Sequence, residues 1–178
     1  MHIKLIKKKL LFKDYKVKCA FGKKGISSVK KEGDNCTPRG IFRITALLYR
    51  KDRIKKITTH LKKIKIDKNM GWCDDPKSRD YNKIITYPFK FSSEKLYKKN
   101  NIYDIILVVD YNLKPIKKNK GSAIFLHIAT KQYKPTEGCI AVSKRNIKNL
   151  INDLKKKFTF TNLLNSFTEN CTSNSNKC

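Results

Sequence analysis

Apolar and polar residues alternate over much of the first half of the chain. In Lys16-Val17-Lys18-Cys19-Ala20-Phe21 the apolar side chains fall at 17, 19 and 21, the one-sided pattern of a half-buried strand. Gly22 to Gly25 then closes a turn, and Gly33-Asp34, Pro38 and Gly40 mark an ordered loop ahead of Ile41-Phe42-Arg43-Ile44. From Tyr49 to Asn69 lysines alternate with Ile and Leu, which predicts an edge hairpin guarded by charge. A short helix is predicted from Ser92 or Ser93 to Lys99. Tyr103 to Tyr111 and Ser122 to Ala129 are short apolar runs rich in β-branched residues, and they predict central strands. The period then changes. After Ser143, a candidate N-cap, Ile147, Leu150, Ile151, Leu154 and Phe158 form the stripe of an amphipathic helix. Residues 161–178 are dominated by Asn, Ser and Thr, which predicts a disordered tail behind one domain of residues 1–160. The expected fold is mainly β, with one or two short helices packed on the sheet.

Composition narrows the class more than it names a function. The chain has 178 residues, 42 Lys plus Arg against 14 Asp plus Glu, and a net charge of +28. With 39% hydrophobic residues it is no disordered polycation, and no stretch approaches the ~20 apolar residues of a membrane-spanning helix. Six cysteines at 19, 36, 73, 139, 171 and 178 are too sparse and irregular for a disulfide scaffold. Cys171 and Cys178 could pair only in an oxidising compartment. The charge invites a nucleic-acid partner, yet 36 of the 42 basic residues are Lys, whereas phosphate and base recognition favours the planar Arg. Lys, Asn and Ile share A/T-rich codons, so coding bias competes with any selected partner as the source of the charge. No recognition motif for DNA or RNA is evident. The N-terminus, Met1 to Tyr15, has no apolar run of seven residues and no small-residue cleavage site, so it does not read as a secretory signal.

Few residues can carry chemistry. Of the histidines, His2 is terminal, His60 lies in the lysine-rich stretch, and only His127 sits in a buried apolar run. Twelve residues later comes Cys139, in Thr136-Glu137-Gly138-Cys139-Ile140. Strand, loop and a Gly-Cys entering the next strand can return a thiol to the histidine of the first. A cysteine nucleophile needs such a base to take and return its proton. Gly138 lets the backbone pass close to a substrate, and the amides around Gly138 and Cys139 could form an oxyanion hole. The competing reading is a small buried cysteine beside a satisfied histidine. A zinc site would need His127, Cys139 and Cys73 without any CxxC or HxxxH pair to anchor it.

The order of several motifs adds weight to the first reading. Gly22-Lys23-Lys24-Gly25, Lys31-Glu32-Gly33-Asp34, Thr37-Pro38-Arg39-Gly40-Ile41-Phe42, Trp72-Cys73-Asp74-Asp75-Pro76, Tyr81-Asn82, Tyr103-Asp104, Gly121 to His127 and Thr136-Glu137-Gly138-Cys139 follow one another through most of the chain. In this the sequence resembles the L,D-transpeptidase (YkuD-type) catalytic-domain family, in its small single-domain branch. The resemblance implies a β-sandwich, Cys139 as nucleophile, His127 as general base, and the backbone of Ile128 orienting the imidazole. It implies attack on a peptidoglycan stem tetrapeptide, release of the terminal D-alanine, and resolution of the thioester by an amine or by water, with no metal or organic cofactor. Action in the periplasm or cell envelope is implied too, where the lysines would meet anionic polymers. Two positions depart from the commonest family motif. Glu137 stands where a second histidine is usual, and Ala141 where an Arg is usual; a branch that lacks this Arg includes amidase-like relatives, which cut peptidoglycan attachments. Glu137 would raise the thiol pKa.

Around this pair, Glu32 and Asp34 read as turn and capping groups, while Arg39 could face a substrate carboxylate. Trp72, Tyr81 and Asn82 read as a loop over the cleft, lining a peptide groove or pinning the loop to the sheet. Two non-catalytic alternatives remain at this point: a basic nucleic-acid-binding module, and a wall-binding protein drawn to anionic polymers.

Overall fold

The strand patterns assemble into a curled ten-stranded sheet with a smaller sheet against one face. The computed structural model describes residues 2–6, 8–12, 14–154 and 159–161. Of the expected tail, residues 161–178, only Thr161 is described, as the end of a strand; residues 162–178 and Phe158 of the helical stripe lie outside the described residues. In chain order the strands are β1 (His2–Ile6), β2 (Lys9–Phe12), β3 (Tyr15–Ala20), β4 (Ile26–Ser27), β5 (Thr37–Pro38), β6 (Ile41–Phe42), β7 (Ile44–Tyr49) and β8 (Lys62–Lys65). They continue with β9 (Met70–Cys73), β10 (Ile84–Thr86), β11 (Ser93–Lys95), β12 (Ile105–Val109), β13 (Phe125–Ile128) and β14 (Ile140–Val142). Helix α1 (Lys144–Asp153) and strand β15 (Thr159–Thr161) follow.

The large sheet has the order β6-β15-β1-β2-β3-β14-β13-β12-β7-β8. Strands β6 and β7 stand near opposite ends of that order, yet only Arg43 separates them in sequence. The sheet must therefore fold back on itself, and its halves face each other as a sandwich. The bend is pinned at Arg43, whose amide donates to Asp110 Oδ1 at 2.7 Å while its carbonyl accepts from the Asp110 amide at 2.9 Å.

Side-chain alternation on the central strands builds two cores. Leu47, Ile105, Leu107, Leu126 and Ile128 point into the sandwich against Leu5, Leu10 and Phe12 of the β1–β2 hairpin. Their neighbours Leu48, Ile106, Val108 and Phe125 face the other way, against Ile66, Trp72, Leu96 and Tyr103. This is why Tyr103 to Tyr111 and Ser122 to Ala129 read as continuous apolar runs: both faces are covered. Each fully buried Leu or Phe contributes about 1.5–3 kcal/mol relative to an exposed one. Helix α1 begins as expected, with Ser143 Oγ accepting from the Asn146 amide at 3.1 Å, and buries Ile147, Leu150 and Ile151 in the first core.

Two expected elements are replaced. The segment after Tyr49 is no hairpin: β8 pairs parallel with β7, Ala46 opposite Lys62. The connection begins with a helical turn, the Ile54 amide bonding the Arg50 carbonyl at 2.8 Å, and buries Ile54 in the first core. Arg50 clamps it through Asp52 and the Lys98 carbonyl. No tight reversal is available, so the chain crosses over and returns in the same direction. The lysines do guard a sheet edge, since Lys62, Lys63 and Lys65 are exposed on the outermost strand. The expected helix from Ser92 or Ser93 to Lys99 is instead β11, which pairs antiparallel with β9 and delivers Leu96 fully buried to the second core. Seven residues gain little from an isolated helix, whereas pairing and burial act at once.

Candidate active site

Strands β13 and β14 run parallel, with His127 opposite Ala141, and Cys139 sits just ahead of β14. Both chemical side chains belong to the face that carries the second core. They line one cavity of about 180 Å³, together with Glu94, Ile102, Tyr103, Thr130, Lys134, Pro135, Thr136, Glu137 and Ala141. The loop that brings the cysteine back is stitched to the edge of β3: the Thr136 amide donates to Phe21 O at 3.0 Å, and the Lys23 amide to Thr136 O at 2.8 Å.

The thiol is held by two backbone groups. Cys139 Sγ donates to Ala123 O at 3.1 Å and accepts from the Phe125 amide at 3.4 Å. Burial pushes its pKa well above the ordinary cysteine value, and Glu94 and, more weakly, Glu137 push it further, while the Phe125 amide and Lys30 oppose them. Lys30 is itself buried, with Nζ 2.5 Å from Asp34 Oδ1. Cys139 therefore rests as a neutral thiol.

The imidazole is neutral as well. His127 Nδ1 lies 3.0 Å from Ile128 O, an acceptor only, so Nδ1 carries the hydrogen and Nε2 keeps its lone pair. Burial brings its pKa down to about 4, helped by Lys98 and opposed by the Ile128 carbonyl. Tyr103 packs edge-on against the ring, with centroids 5.2 Å apart, and its hydroxyl donates to Glu94 Oε1 at 2.8 Å. A stability consequence follows. Unfolded His127 takes up a proton near its ordinary value of 6.5, whereas the folded ring resists it down to about 4. Stability is therefore lost as pH falls from about 6.5 to about 4, by up to about 3 kcal/mol. Urea unfolding across that window should show the loss, and His127→Gln should flatten it.

Gly138 is required by its place. Its φ is +145°, and a Cβ there would come 2.9 Å from Cys36 O. Its carbonyl accepts from Thr37 Oγ1 at 2.8 Å, and its amide donates to Thr136 Oγ1 at 3.2 Å, so that amide is committed within the loop.

The remaining sequence candidates divide. Glu137 lines the cavity at its exposed rim. Arg39 is exposed and is not part of the lining. Trp72 lies on β9 rather than on a loop, buried edge-on against Phe125 with centroids 5.0 Å apart, so it pins the small sheet rather than lining a groove. Tyr81 is buried and its hydroxyl donates to Glu32 Oε2, joining two loops behind the thiol. Asp34 is the predicted capping group, accepting from the Lys31 and Cys36 amides. Asn82 reaches the thiol indirectly. Its Oδ1 accepts from Trp72 Nε1 at 2.9 Å and from the Ala123 amide at 3.0 Å, and Ala123 O in turn receives the Cys139 thiol proton. Ala123 has φ +51°, a left-handed conformation that this bond helps to hold.

Glu94, Ala123, Lys30 and the packing role of Tyr103 were not legible as site residues. Glu94 lay in a segment that reads as a helix, and Lys30 is one lysine among many. The Tyr103-Asp104 and Gly121-to-His127 motifs mark the positions of Tyr103 and Ala123 without revealing what they touch. Among the described residues, no three His, Cys, Asp or Glu side chains converge as metal ligands.

A family model described as the L,D-transpeptidase catalytic domain (YkuD) matches residues 3–161. A comparison with curated proteins found no match.

Proposed function

The chain belongs to the L,D-transpeptidase catalytic-domain family, and from that premise we propose that it is a cysteine acyltransferase acting on peptidoglycan stem peptides. The supporting observation is the cavity shared by Cys139 and His127, with the imidazole tautomer set by Ile128 O. His127 Nε2 takes the thiol proton as Sγ attacks the carbonyl that precedes the terminal D-residue. The C–N bond breaks, the imidazolium returns the proton to the departing amine, and a thioester on Cys139 remains. An acceptor amine then attacks the thioester carbon and displaces the thiol. Because the resting pair is neutral, proton transfer accompanies attack instead of preceding it. The site of action would be the cell envelope, where the lysine-rich exterior meets anionic polymers; a specific nucleic-acid partner is not part of this reading.

One observation favours a hydrolytic relative as the second reading, a carboxypeptidase or an amidase. Ala141 lines the cavity opposite His127 and supplies no cation to a substrate carboxylate. Incubation with defined muropeptides followed by mass spectrometry separates the two. The expected result is an acyl adduct on the peptide that contains Cys139, with cross-linked product for the transferase and trimmed product for the hydrolase. An adduct on another cysteine, or none, would overturn the assignment.

A further inference from the structure

The cavity around the thiol is richer in acid than the chain as a whole. The chain has three basic residues for every acidic one, 42 against 14. Yet the charged residues lining the cavity are Glu94, Glu137 and Lys134. The two carboxylates have different duties. Glu94 is engaged, accepting from the Tyr103 hydroxyl at 2.8 Å and pairing with Lys98 at 3.4 Å. Glu137 stands exposed at the rim, and no described residue hydrogen-bonds or ion-pairs with it. It is fixed in place by its neighbours rather than by its own side chain: Thr136 is stitched to the β3 edge, and Gly138 is wedged against Cys36 and held by Thr37. A free carboxylate held two residues from a nucleophile, at the mouth of a small cavity, costs something. Both glutamates raise the thiol pKa and make the nucleophile harder to ionise. Such an arrangement is useful when the arriving group is cationic, since a local anionic focus can draw in a cation that the +28 exterior repels.

We propose that Glu137, reinforced by Glu94, makes this cavity selective for an ammonium-bearing ligand, and that the ligand is the amine that resolves the thioester. The second clause rests on the acyl-transfer reading; the first does not. An amine acceptor reaches the site protonated near neutral pH, and the Glu137 carboxylate holds it at the rim. The amine gives up one proton to solvent before its lone pair attacks the thioester carbon, and the proton shed on amide formation passes through His127 Nε2 to the departing sulfur. Water carries no charge for the rim carboxylate to attract, so Glu137 enriches the amine over water and biases resolution towards transfer and away from hydrolysis.

The test uses thiol-reactive probes of opposite charge on the full chain. Cys139 is treated with 2-(trimethylammonio)ethyl methanethiosulfonate or with 2-sulfonatoethyl methanethiosulfonate, each rate divided by that of a simple free thiol. Labelling is read by mass on the Cys139 peptide alone, so that reaction at the other cysteines does not enter the ratio. The expected result is a cationic-to-anionic ratio above one at Cys139, reduced about fivefold by Glu137→Gln. A wild-type ratio below one, or a ratio that Glu137→Gln leaves unchanged, overturns the proposal. Muropeptides inert beside a cation preference that depends on Glu137 would sink the acyl-transfer reading and, with it, the assignment of the ligand as the resolving amine, while the cation selectivity stands. Acylation without that preference would sink the cation selectivity while leaving the enzyme assignment intact. Where acylation occurs, Glu137→Gln should also raise the ratio of hydrolysed to transferred product, and an unchanged ratio counts against the amine as the ligand.

Discussion

Cys139→Ala is expected to remove acyl-enzyme formation altogether, and to lower turnover of a stem tetrapeptide by at least about 10⁴-fold, because the covalent step has no other nucleophile. The variant should still fold. The thiol makes only two weak contacts, with Ala123 O and the Phe125 amide, so the stability lost is on the order of 1 kcal/mol. His127→Ala should cost about 10²–10⁴-fold, the usual worth of a positioned base. The effect is expected on the acylation rate and not on substrate affinity, since a buried thiol with a raised pKa has no ionised population to fall back on. Rapid-mixing mass spectrometry of the Cys139 adduct would separate the two variants: none for the first, slow accumulation for the second. Wild-type rates in either variant would rule out the pair as the catalytic centre.

Asn82→Ala is expected to give the largest loss of stability away from the thiol. The Asn82 side chain is buried at 2% exposure and makes bonds to Trp72 Nε1, the Ala123 amide and Asn112 O at 2.9, 3.0 and 2.7 Å. Its own φ of +58° is one that Asn tolerates and Ala resists. Leaving buried donors and an acceptor unpaired, in a strained conformation, should cost about 3–4 kcal/mol and lower the melting temperature by roughly 6–12 °C. Asn82→Asp keeps the acceptor for Trp72 and Ala123 but loses the donor to Asn112 O, so it should fall between Ala and wild type. In both variants the labelling rate of Cys139 should change with stability, because Ala123 O positions the thiol. A melting temperature within 1 °C of wild type for Asn82→Ala would show that this network carries no structural weight.

Asn82 also shows how a motif residue can leave open whether it lines a cleft or supports it. It stood out beside Tyr81 as part of a loop over the cleft, and its contribution comes instead from behind the thiol, through the backbone of Ala123. Trp72 is similar: an aromatic near a site suggests a groove, but its ring packs perpendicular to Phe125 and its indole N–H is taken by Asn82. A single sequence cannot distinguish lining from support. Both need an aromatic or an amide near the nucleophile, and the choice depends on which side of a strand faces the cavity.

Local chemistry was sufficient for several elements. Period-2 alternation marked β3, apolar runs marked β12 and β13, and Ser143 with its stripe marked α1, because burial and capping act within a few residues. That Cys139 and His127 would meet was legible for a related reason: few residue types can do nucleophilic chemistry, this chain has few of them, and a strand, a loop and a Gly-Cys can bring the two into one cavity. Tertiary structure decided the rest. Only long-range pairing turned the 49–69 segment into a parallel crossover and the 92–99 segment into β11. Only folding back the sheet gave β12 and β13 two covered faces. The neutrality of the thiol and imidazole, and the acidic lining against a +28 exterior, depend on burial and on residues far apart in sequence, such as Glu94 and Glu137. A protonation state is set by the solvent and charges around a group, and those neighbours exist only once the chain has folded.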